Sequence, residues 1–397
     1  MDFQEGKALH QAVYDMLYLA CCSVKEKTPD KQRVLQMNLS EVYRIAHFHN
    51  VTALLYFALE PLQLDLSIMK KWKEDKDKAL LKNVLLDVER KNLFTFMNEQ
   101  KIWYMSLKGV YIKEYYPKPG MRQMSDNDIL FDDQYEEVIH DYFVKNGYEV
   151  DEYQISNHDT YHKKPVLNFE MHMALFISGF DLFGHGKTDR LMEYYKNIKD
   201  QLLRVSPDSY EYMFTPEDFY LYFLVHSYKH YVNSGTGVKV IFDTYVILKQ
   251  YADIIDWDDL HKRLDYLGLV EYEKNLRTLT TYLFEHFEDF QMDSLPLELQ
   301  KMLFYIVQAG TYGKESSFIE NQIHKQGIES AEKAKWSYIK RRLIPDKYYY
   351  MGNKKREYIY NHKYLLPFYL IYRFFRGIFK NGKHIVQEIM VAFKFKK

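Results

Sequence analysis

Two acidic residues stand at alternating positions in the middle of the chain, in the run Ser125-Asp126-Asn127-Asp128. In a β-strand, side chains two positions apart point to the same face, so both Asp carboxylates would lie side by side. Adjacent carboxylates repel each other unless a cation lies between them, and Mg²⁺ prefers such oxygen ligands. An acidic turn or a helix cap gives the same pattern, so the motif alone leaves both interpretations open.

A third carboxylate follows in Asn168-Phe169-Glu170-Met171-His172, where Glu170 and His172 would share one face of a strand. On a strand beside Asp126 and Asp128, Glu170 would complete the kind of carboxylate set that holds two metal ions in phosphoryl and nucleotidyl transfer. We therefore expect Asp126, Asp128 and Glu170 to be catalytic metal ligands for Mg²⁺ or Mn²⁺. His172 is a candidate for lining the adjoining cleft.

Candidate phosphate-binding residues precede the two aspartates. Lys108-Gly109 ends an apolar run and begins a short helix, and a glycine there lets a phosphate approach backbone N–H groups. Arg122 lies four residues before Asp126 and could pair with the same phosphates. We assign Lys108, Gly109, Arg122 and Ser125 to phosphate or nucleotide binding.

Two histidines four positions apart occur in His226-Ser-Tyr-Lys229-His230, on one face of a predicted helix. Such a pair could bind zinc, with Asp243 on the next predicted helix as the only obvious third ligand. Two ligands rarely form a metal site, so we prefer His226, Lys229, His230 and Asp243 as residues that line a cleft. A packed, hydrogen-bonded pair of histidines is the simpler alternative.

A further polar cluster contains His158, Asp159 and His162. It could form a site, but a polar hairpin is the better explanation of these residues. We therefore assign no function to them.

A small sheet is needed to bring the candidate residues together. Short apolar or alternating runs predict strands at Ile102 to Leu107, Met124 to Phe131, Tyr148 to Tyr153, Thr160 to Lys163 and Val166 to Ala174, with helices at Val110 to Tyr116 and Asp132 to Asn146. Periodicity predicts helices before and after this part of the chain. The expected fold class is α+β, with a small mixed sheet between an N-terminal helical region and a C-terminal helical domain.

Two helices carry specific expectations. Residues 67–99 place Leu81, Val84, Leu85 and Val88 on one apolar stripe, which indicates a packing face. Thr215-Pro216 is a favourable helix start, after which Phe219, Phe223, His226 and His230 would share a face. The expected regions are an N-terminal helical region (1–100), the sheet domain (101–204), a helical domain (205–334) and a basic, aromatic tail (335–397).

Composition limits the class of protein. The chain has 397 residues, a formal charge of −1 and 47% hydrophobic residues, so it can bury a substantial core. Its only cysteines are the adjacent Cys21 and Cys22, which we expect to be buried thiols in a reducing compartment. The N terminus does not resemble a signal peptide, and no apolar run is long enough to span a membrane. We expect a cytoplasmic protein.

The C-terminal tail has a strong charge of its own. Residues 335–397 contain 16 Lys and Arg against three acids, a net charge of +13. This tail could bind an anionic partner, such as phosphates or a membrane surface, or it could dock on the acidic remainder of the protein.

The run LKG…YYP…R…SDNDIL between Trp103 and Leu130, followed by the E-x-H strand, resembles the uncharacterised bacterial nucleotidyltransferase-like family of the polymerase-beta nucleotidyltransferase superfamily. The similarity covers roughly residues 40 to 250 and is weaker in the tail. It implies metal carboxylates at Asp126, Asp128 and Glu170, and places Gly109 at the superfamily's strand-to-helix glycine. The chain departs from the pattern in two ways: the turn lacks a second Gly or Ser, and Asn127 replaces an apolar residue and would face the core.

The resemblance implies a nucleotidyltransferase that moves a nucleoside monophosphate from an NTP to an acceptor by two-metal catalysis, with Mg²⁺ or Mn²⁺ as cofactor. The acceptor stays open between a protein, a sugar, a small molecule and RNA. Two alternatives also stay open. One is a catalytically inactive protein that binds nucleotides or nucleic acid on the same scaffold. The other is a membrane-surface assembly partner that uses the basic tail.

Overall fold

Five helices precede the sheet in a computed structural model that describes residues 9–154, 156–176, 187–233, 235–310, 331–345, 347–350 and 354–376. They are α1 (Gln11–Val24), α2 (Lys31–Gln36), α3 (Leu39–Phe48), α4 (Thr52–Leu59) and α5 (Ile68–Glu99). Polar side chains cap the starts of several of them; the Asn38 side chain, for example, accepts a hydrogen bond from the Glu41 N–H at 3.1 Å. Cys21 and Cys22 are buried free thiols in α1, as predicted.

A mixed five-stranded sheet follows, with strand order β1-β2-β5-β4-β3. The strands are β1 (Tyr104–Ser106), β2 (Asn127–Phe131), β3 (Glu149–Glu152), β4 (His158–Lys163) and β5 (Leu167–His172), with α6 (Gly109–Ile112) and α7 (Glu136–Lys145) between them. Strands β2 and β5 pair in parallel, and the other neighbours pair antiparallel. This arrangement confirms the predicted α+β fold with a small mixed sheet.

The two faces of the sheet differ in polarity because side chains alternate along each strand. One face is apolar and packs on α5 and α7; its core contains Leu86, Leu93, Met97, Ile129, Phe131, Ile139, Phe143, Tyr161, Phe169 and Met171. On β2 and β5 the opposite face carries Asp128, Glu170 and His172. The hydrophobic pattern of the strands thus directs the acidic residues away from this core.

The observed elements are shorter than the predicted ones in two places that matter for the site. Strand β2 begins at Asn127, so Asp126 precedes the ladder instead of lying within a strand that starts at Met124. The predicted helix over Val110 to Tyr116 is one α-helical turn, Gly109–Ile112, followed by a 3₁₀ turn at Lys113–Tyr115. Asp128 therefore lies within the strand, where alternation fixes its face. Alternation does not fix the direction of the Asp126 side chain, which precedes the strand.

The remaining helices follow the sheet in the chain. After α8 (Lys187–Tyr194) and the small pair β6 (Leu203–Arg204) and β7 (Tyr212–Met213) come α9 (Pro216–Val232), α10 (Lys239–Tyr251), α11 (Trp257–Leu267), α12 (Val270–Glu285) and α13 (Leu297–Ala309). Helix α9 begins as predicted, since the Thr215 hydroxyl accepts a hydrogen bond from the Asp218 N–H at 3.1 Å. None of the helices in the described ranges is both long enough and apolar enough to cross a bilayer.

A single hydrophobic core joins the N-terminal helices to these C-terminal helices. It includes fully buried residues of α1 and α4, such as Leu19 and Leu55, together with Ile241 of α10 and Leu276 of α12. Direct packing of α1 on α10 forms part of this core. The two helical regions therefore stabilise each other.

Of the apolar stripe predicted for α5, only Leu85 packs against the sheet core. Leu81, Val84 and Val88 are 59%, 50% and 51% exposed, whereas Leu86 and Leu93 of the same helix are buried in the sheet core. The helix is rotated so that a different set of residues faces the sheet. The prediction of a packing face at Leu81, Val84 and Val88 was wrong because periodicity fixes the spacing of a stripe, not the partner that covers it.

The tail forms α14 (Ala331–Leu343), α15 (Lys347–Tyr350), α16 (Lys354–Asn361) and a helical segment over 366–376, which we call α17. Helix α17 exposes aromatic and aliphatic side chains: Phe368, for example, is 72% exposed. Residues 377–397 of the predicted basic tail lie outside the described residues.

Candidate functional site

Two carboxylates meet at the centre of the sheet. Asp128 of β2 and Glu170 of β5 are register partners in the parallel pair, so their side chains leave the same face of neighbouring strands. Asp126 lies just before β2 and joins them electrostatically: burial, and then the charges of Asp128 and Glu170, raise the pKa of the Asp126 carboxyl to about 7. Asp126 thus interacts electrostatically with the other two acids, and the role of all three as metal ligands stays a prediction.

Lys108 supplies a positive charge to this cluster. Its Nζ donates a hydrogen bond to Asp128 Oδ1 at 2.7 Å. Burial opposes both charges, but the attraction between them prevails: it raises the pKa of Lys108 and, with help from His172, holds the pKa of Asp128 well below its usual range. Lys108 is therefore an ammonium ion fixed beside the acids.

Asn127 points to the opposite side of β2 and is fully buried there. Its side-chain oxygen accepts a hydrogen bond from Arg90 at 2.9 Å, and its amide donates to the carbonyl of Leu86 at 2.9 Å. Both partners belong to α5. The polar residue that departs from the usual family pattern is thus satisfied by the helix beneath the sheet.

Gly109 lies at the turn between β1 and α6, next to Arg122. A Cβ at Gly109 would lie 2.4 Å from Nη1 of Arg122, so only glycine fits without a shift of that side chain. The helix that starts at Gly109 has a single turn, which limits the number of backbone N–H groups it can direct at a phosphate. The phosphate-binding roles of Gly109 and Ser125 stay predictions.

Arg122 has a partner that the sequence did not suggest. Its Nε and Nη2 donate to the two carboxylate oxygens of Asp243, each at 2.9 Å, and the Tyr116 hydroxyl donates to the same carboxylate at 2.8 Å. The charge of Arg122 is therefore already compensated by a buried carboxylate of α10. Its assignment to phosphate binding stays a prediction, and Asp243 is its counter-ion.

A cavity of about 180 Å³ lies beside Lys108, the ion-pair partner of Asp128, and its lining does not include Asp126, Asp128 or Glu170. Its lining includes Lys108, Arg122, Phe219, Tyr222, Phe223, His226, His230, Lys239 and Asp243. The predicted face of α9 with Phe219, Phe223, His226 and His230 thus borders one cavity. Lys229 does not line the cavity. Burial is the main cause that lowers the pKa of Lys229, and the charges of Lys108, Glu170 and Asp128 also act on it.

The cavity also contains residues that sequence reasoning missed. Tyr222 is buried in α9 beside Lys108. Lys239 starts α10, and burial together with the charge of Arg122 lowers its pKa to about 8. On the other side, Lys82 of α5 interacts electrostatically with Asp126. The chain contains many other lysines and tyrosines, and no local motif distinguishes Tyr222, Lys239 and Lys82 from them.

The paired histidines of α9 contact each other. The Nε2 atoms of His226 and His230 lie 3.0 Å apart. Asp243, the proposed third ligand of a zinc site, binds Arg122 instead. Within the described ranges these residues therefore form a hydrogen-bonded pair at the cavity, the simpler of the two alternatives drawn from the sequence.

His172 belongs to the acidic cluster more closely than expected. Its Nε2 lies 3.1 Å from Asp128 Oδ1 and 3.5 Å from Glu170 Oε2. His158 of β4 is the register partner of His172, and their ring centroids are 4.9 Å apart. Sequence reasoning treated His158 as part of a polar hairpin, because the pairing of β4 with β5 is needed to place it here.

Comparison with known proteins adds one finding. A family model described as an uncharacterised nucleotidyltransferase matches residues 36–285. Searches of curated proteins and of solved structures give no match. The matched segment contains the sheet, the acidic cluster and the cavity.

Proposed function

Because the chain belongs to the family of uncharacterised nucleotidyltransferases, we propose that it transfers a nucleoside monophosphate from an NTP to an acceptor by metal-assisted catalysis. Asp126, Asp128 and Glu170 would hold the metal ions. The observation that carries this proposal is the parallel pairing of β2 with β5, which sets Asp128 directly beside Glu170. Two carboxylates on one polar sheet face, with Asp126 just before β2, suit a site for phosphoryl chemistry.

The donor set fits Mg²⁺. Hard divalent cations take carboxylate oxygens, and a cation here would also offset the burial and the neighbouring charges of Asp128 and Glu170 that raise the pKa of Asp126. When bound, two such ions would activate the acceptor hydroxyl and neutralise the charge that develops on the leaving pyrophosphate.

The chain's own cations would bind the phosphates. Lys108 lines the cavity and also forms an ion pair with Asp128. Its ammonium can therefore interact with a phosphate in the cavity or with the carboxylates of the sheet. Lys229 and Lys239 lie close to the same cavity and acids. At about 180 Å³ the cavity is smaller than the 300–1,000 Å³ of typical ligand sites, so it would enclose part of a nucleotide.

A thermal unfolding experiment tests the proposal. The full chain is heated with Mg²⁺ and each of the four ribonucleoside triphosphates in turn; one or more should raise the unfolding midpoint, and this effect should require Mg²⁺. Asp126→Asn should abolish the rise. Asp126 is preferable to Asp128 because Asp128 also compensates Lys108.

Asp141→Asn is the matched control, since Asp141 is an exposed carboxylate on α7. It should respond like the wild type. The proposal is wrong if no triphosphate raises the midpoint, or if Asp126→Asn responds as the wild type does. Incubation of the active protein with a labelled triphosphate and a cell extract would then identify the acceptor by its label.

The tail supports a second candidate function. On α17, Phe368, Ile371, Tyr372 and Phe375 are exposed at helical spacing, next to Arg373 and Arg376. An exposed apolar face flanked by cations binds the interface of an anionic bilayer. We propose that this helix docks the protein on an anionic membrane surface.

Vesicle co-sedimentation tests this second candidate. Vesicles with phosphatidylserine should retain the protein in a salt-sensitive way, whereas neutral phosphatidylcholine vesicles should not. Replacing Phe368 and Ile371 with serine should abolish retention. Equal retention of this variant, or none of the wild type, would contradict the proposal.

A further inference from the structure

Three metal-ligating side chains converge beside the carboxylates, on the same face of the sheet. His158 and His172 are register partners across β4 and β5, and Glu170 lies two positions before His172 on β5. One ligand atom from each of His158, Glu170 and His172 lies within 4.8 Å of the other two. Ligands around a single ion with bonds of about 2.0–2.2 Å sit about 3–4 Å apart, so small side-chain adjustments would suffice.

Both histidines keep an unused ring nitrogen. The Nδ1 atoms of His158 and His172 are buried and have no hydrogen-bond partner in the part of the chain that the structure describes. An unsatisfied buried polar atom costs about 1–3 kcal/mol, so two of them in one cluster call for a ligand. Neutral ring nitrogens with free lone pairs are suited to a metal ion.

The other nitrogen of His172 is held by a carboxylate. Its Nε2 lies 3.1 Å from Asp128 Oδ1. A metal-binding histidine usually has its second nitrogen fixed in this way, which orients the ring and makes the ligand nitrogen more basic. Asp128 would thus support His172 as a ligand.

We propose that His158, Glu170 and His172 bind one divalent transition-metal ion of the Zn²⁺ or Mn²⁺ class. Imidazole nitrogens favour such ions over Mg²⁺, which prefers oxygen ligands only. The site shares Glu170 with the carboxylates of the proposed function, but it does not depend on nucleotidyl transfer. An ion here joins β4 to β5 and adds positive charge beside the acids.

Binding is measured on the full chain with metal ions alone, without nucleotide. Zn²⁺ titrated into the wild type by calorimetry should bind at one site, and bound Mn²⁺ should show hyperfine coupling to histidine nitrogen in its electron paramagnetic resonance spectrum. His158→Ala should weaken Zn²⁺ binding by at least about tenfold and reduce the nitrogen coupling. His158→Gln, which retains most of the side-chain volume, should do the same if the alanine variant folds poorly.

Three control variants locate the ion. His162→Ala changes an exposed histidine on the same strand, and His230→Ala breaks the histidine pair of α9; both should bind Zn²⁺ like the wild type. Asp126→Asn should also keep the Zn²⁺ site, even though it removes the proposed Mg²⁺-dependent response to triphosphate. The two proposals can therefore fail separately.

Several results would overturn the proposal: no binding of Zn²⁺ to the wild type, unchanged affinity in a folded His158 variant, or a loss of affinity in His230→Ala.

Discussion

Charged residues at the candidate site are paired with residues of opposite charge. Lys108 compensates Asp128 across 2.7 Å, and with His172 it holds a buried carboxylate in the ionised state. Since one partner of a buried pair cannot be removed without leaving the other uncompensated, this lysine contributes to stability as well as to the proposed binding of phosphate. The contribution of Lys108 to stability and its proposed contribution to phosphate binding respond differently to added Mg²⁺.

Lys108→Met should destabilise the metal-free protein by about 3–5 kcal/mol, because it leaves Asp128 and its neighbours without their ammonium ion. Mg²⁺ should then stabilise this variant more than it stabilises the wild type, since no built-in cation competes for the carboxylates. Urea unfolding with and without Mg²⁺ measures both effects.

Lys91→Met is the control for this prediction, because Lys91 is an exposed lysine of α5. Its stability should stay within about 0.5 kcal/mol of the wild type. A Lys108→Met protein as stable as the wild type without Mg²⁺ would show that the ion pair is not needed.

His49 gives the fold a dependence on pH. It is fully buried at the end of α3, and its Nδ1 accepts a hydrogen bond from the Val238 N–H at 3.4 Å. Burial, the main cause, lowers its pKa from 6.5 to about 4. Between these values the unfolded chain binds a proton that the folded chain does not, so stability falls as pH decreases from 6.5 towards 4.

The loss attributable to His49 should reach about 3 kcal/mol at the acid end of this range. In His49→Gln the free energy of unfolding should therefore decrease less steeply over the same pH range, whatever its absolute value. Urea unfolding at a series of pH values gives the two slopes. Identical slopes would mean that His49 does not titrate on unfolding.

Contacts between elements hold the site in place, and one of them joins the segment before β2 to α10. The bidentate pair of Arg122 with Asp243 is buried, and Tyr116 adds a third hydrogen bond to the carboxylate. Gly109 makes room for the guanidinium. Tyr116 and Arg122, from the connection before β2, thus meet α10 at one carboxylate that lines the cavity.

Asp243→Asn should destabilise the protein by about 3–5 kcal/mol, because it leaves the Arg122 guanidinium buried without a counter-ion. Asp243→Leu combined with Arg122→Met should recover part of this loss, and a double-mutant cycle by urea unfolding measures the coupling. Asp253→Asn, an exposed aspartate just after α10, should have little effect. Additive effects of the two single changes would refute the coupling.

Elements with strong local signals could be predicted from the sequence, whereas their partners could not. Thr215-Pro216 starts α9 as expected, and alternation correctly gives Glu170 and His172 a common face of β5. The register that brings His158 to His172, like the pairing of Arg122 with Asp243, depends on contacts distant in the chain. The apolar stripe of α5 misled for the same reason, since nothing local reveals which side a neighbour will cover.

At the scale of the whole molecule, the helices before and after the sheet share one core. Leu55 of α4 and Leu276 of α12 are both fully buried in it. The Lys25 ammonium at the end of α1 also donates to the carbonyl of Phe284 at 3.0 Å. The matched family segment ends at residue 285, so this shared core lies largely within it.

Leu55→Ala should cost about 2–5 kcal/mol, because it leaves a cavity in a close-packed core. Amide hydrogen exchange measures the free energy of opening of each helix. If the two helical regions unfold together, Leu55→Ala should lower this free energy by the same amount in α10 and α12 as in α1 and α4. Faster exchange confined to the N-terminal helices would show that they unfold alone. Leu81→Ala, at an exposed leucine, serves as the control.

The parallel pairing of β2 with β5 also has a kinetic consequence. Asp128 and His172 are 44 positions apart in the chain, and the β3–β4 hairpin lies between their strands in sequence. Pairings of such long range close late in folding. The mutual repulsion of the carboxylates is thus met near the end of the folding reaction, where a dissolved divalent cation can relieve it and speed the last step.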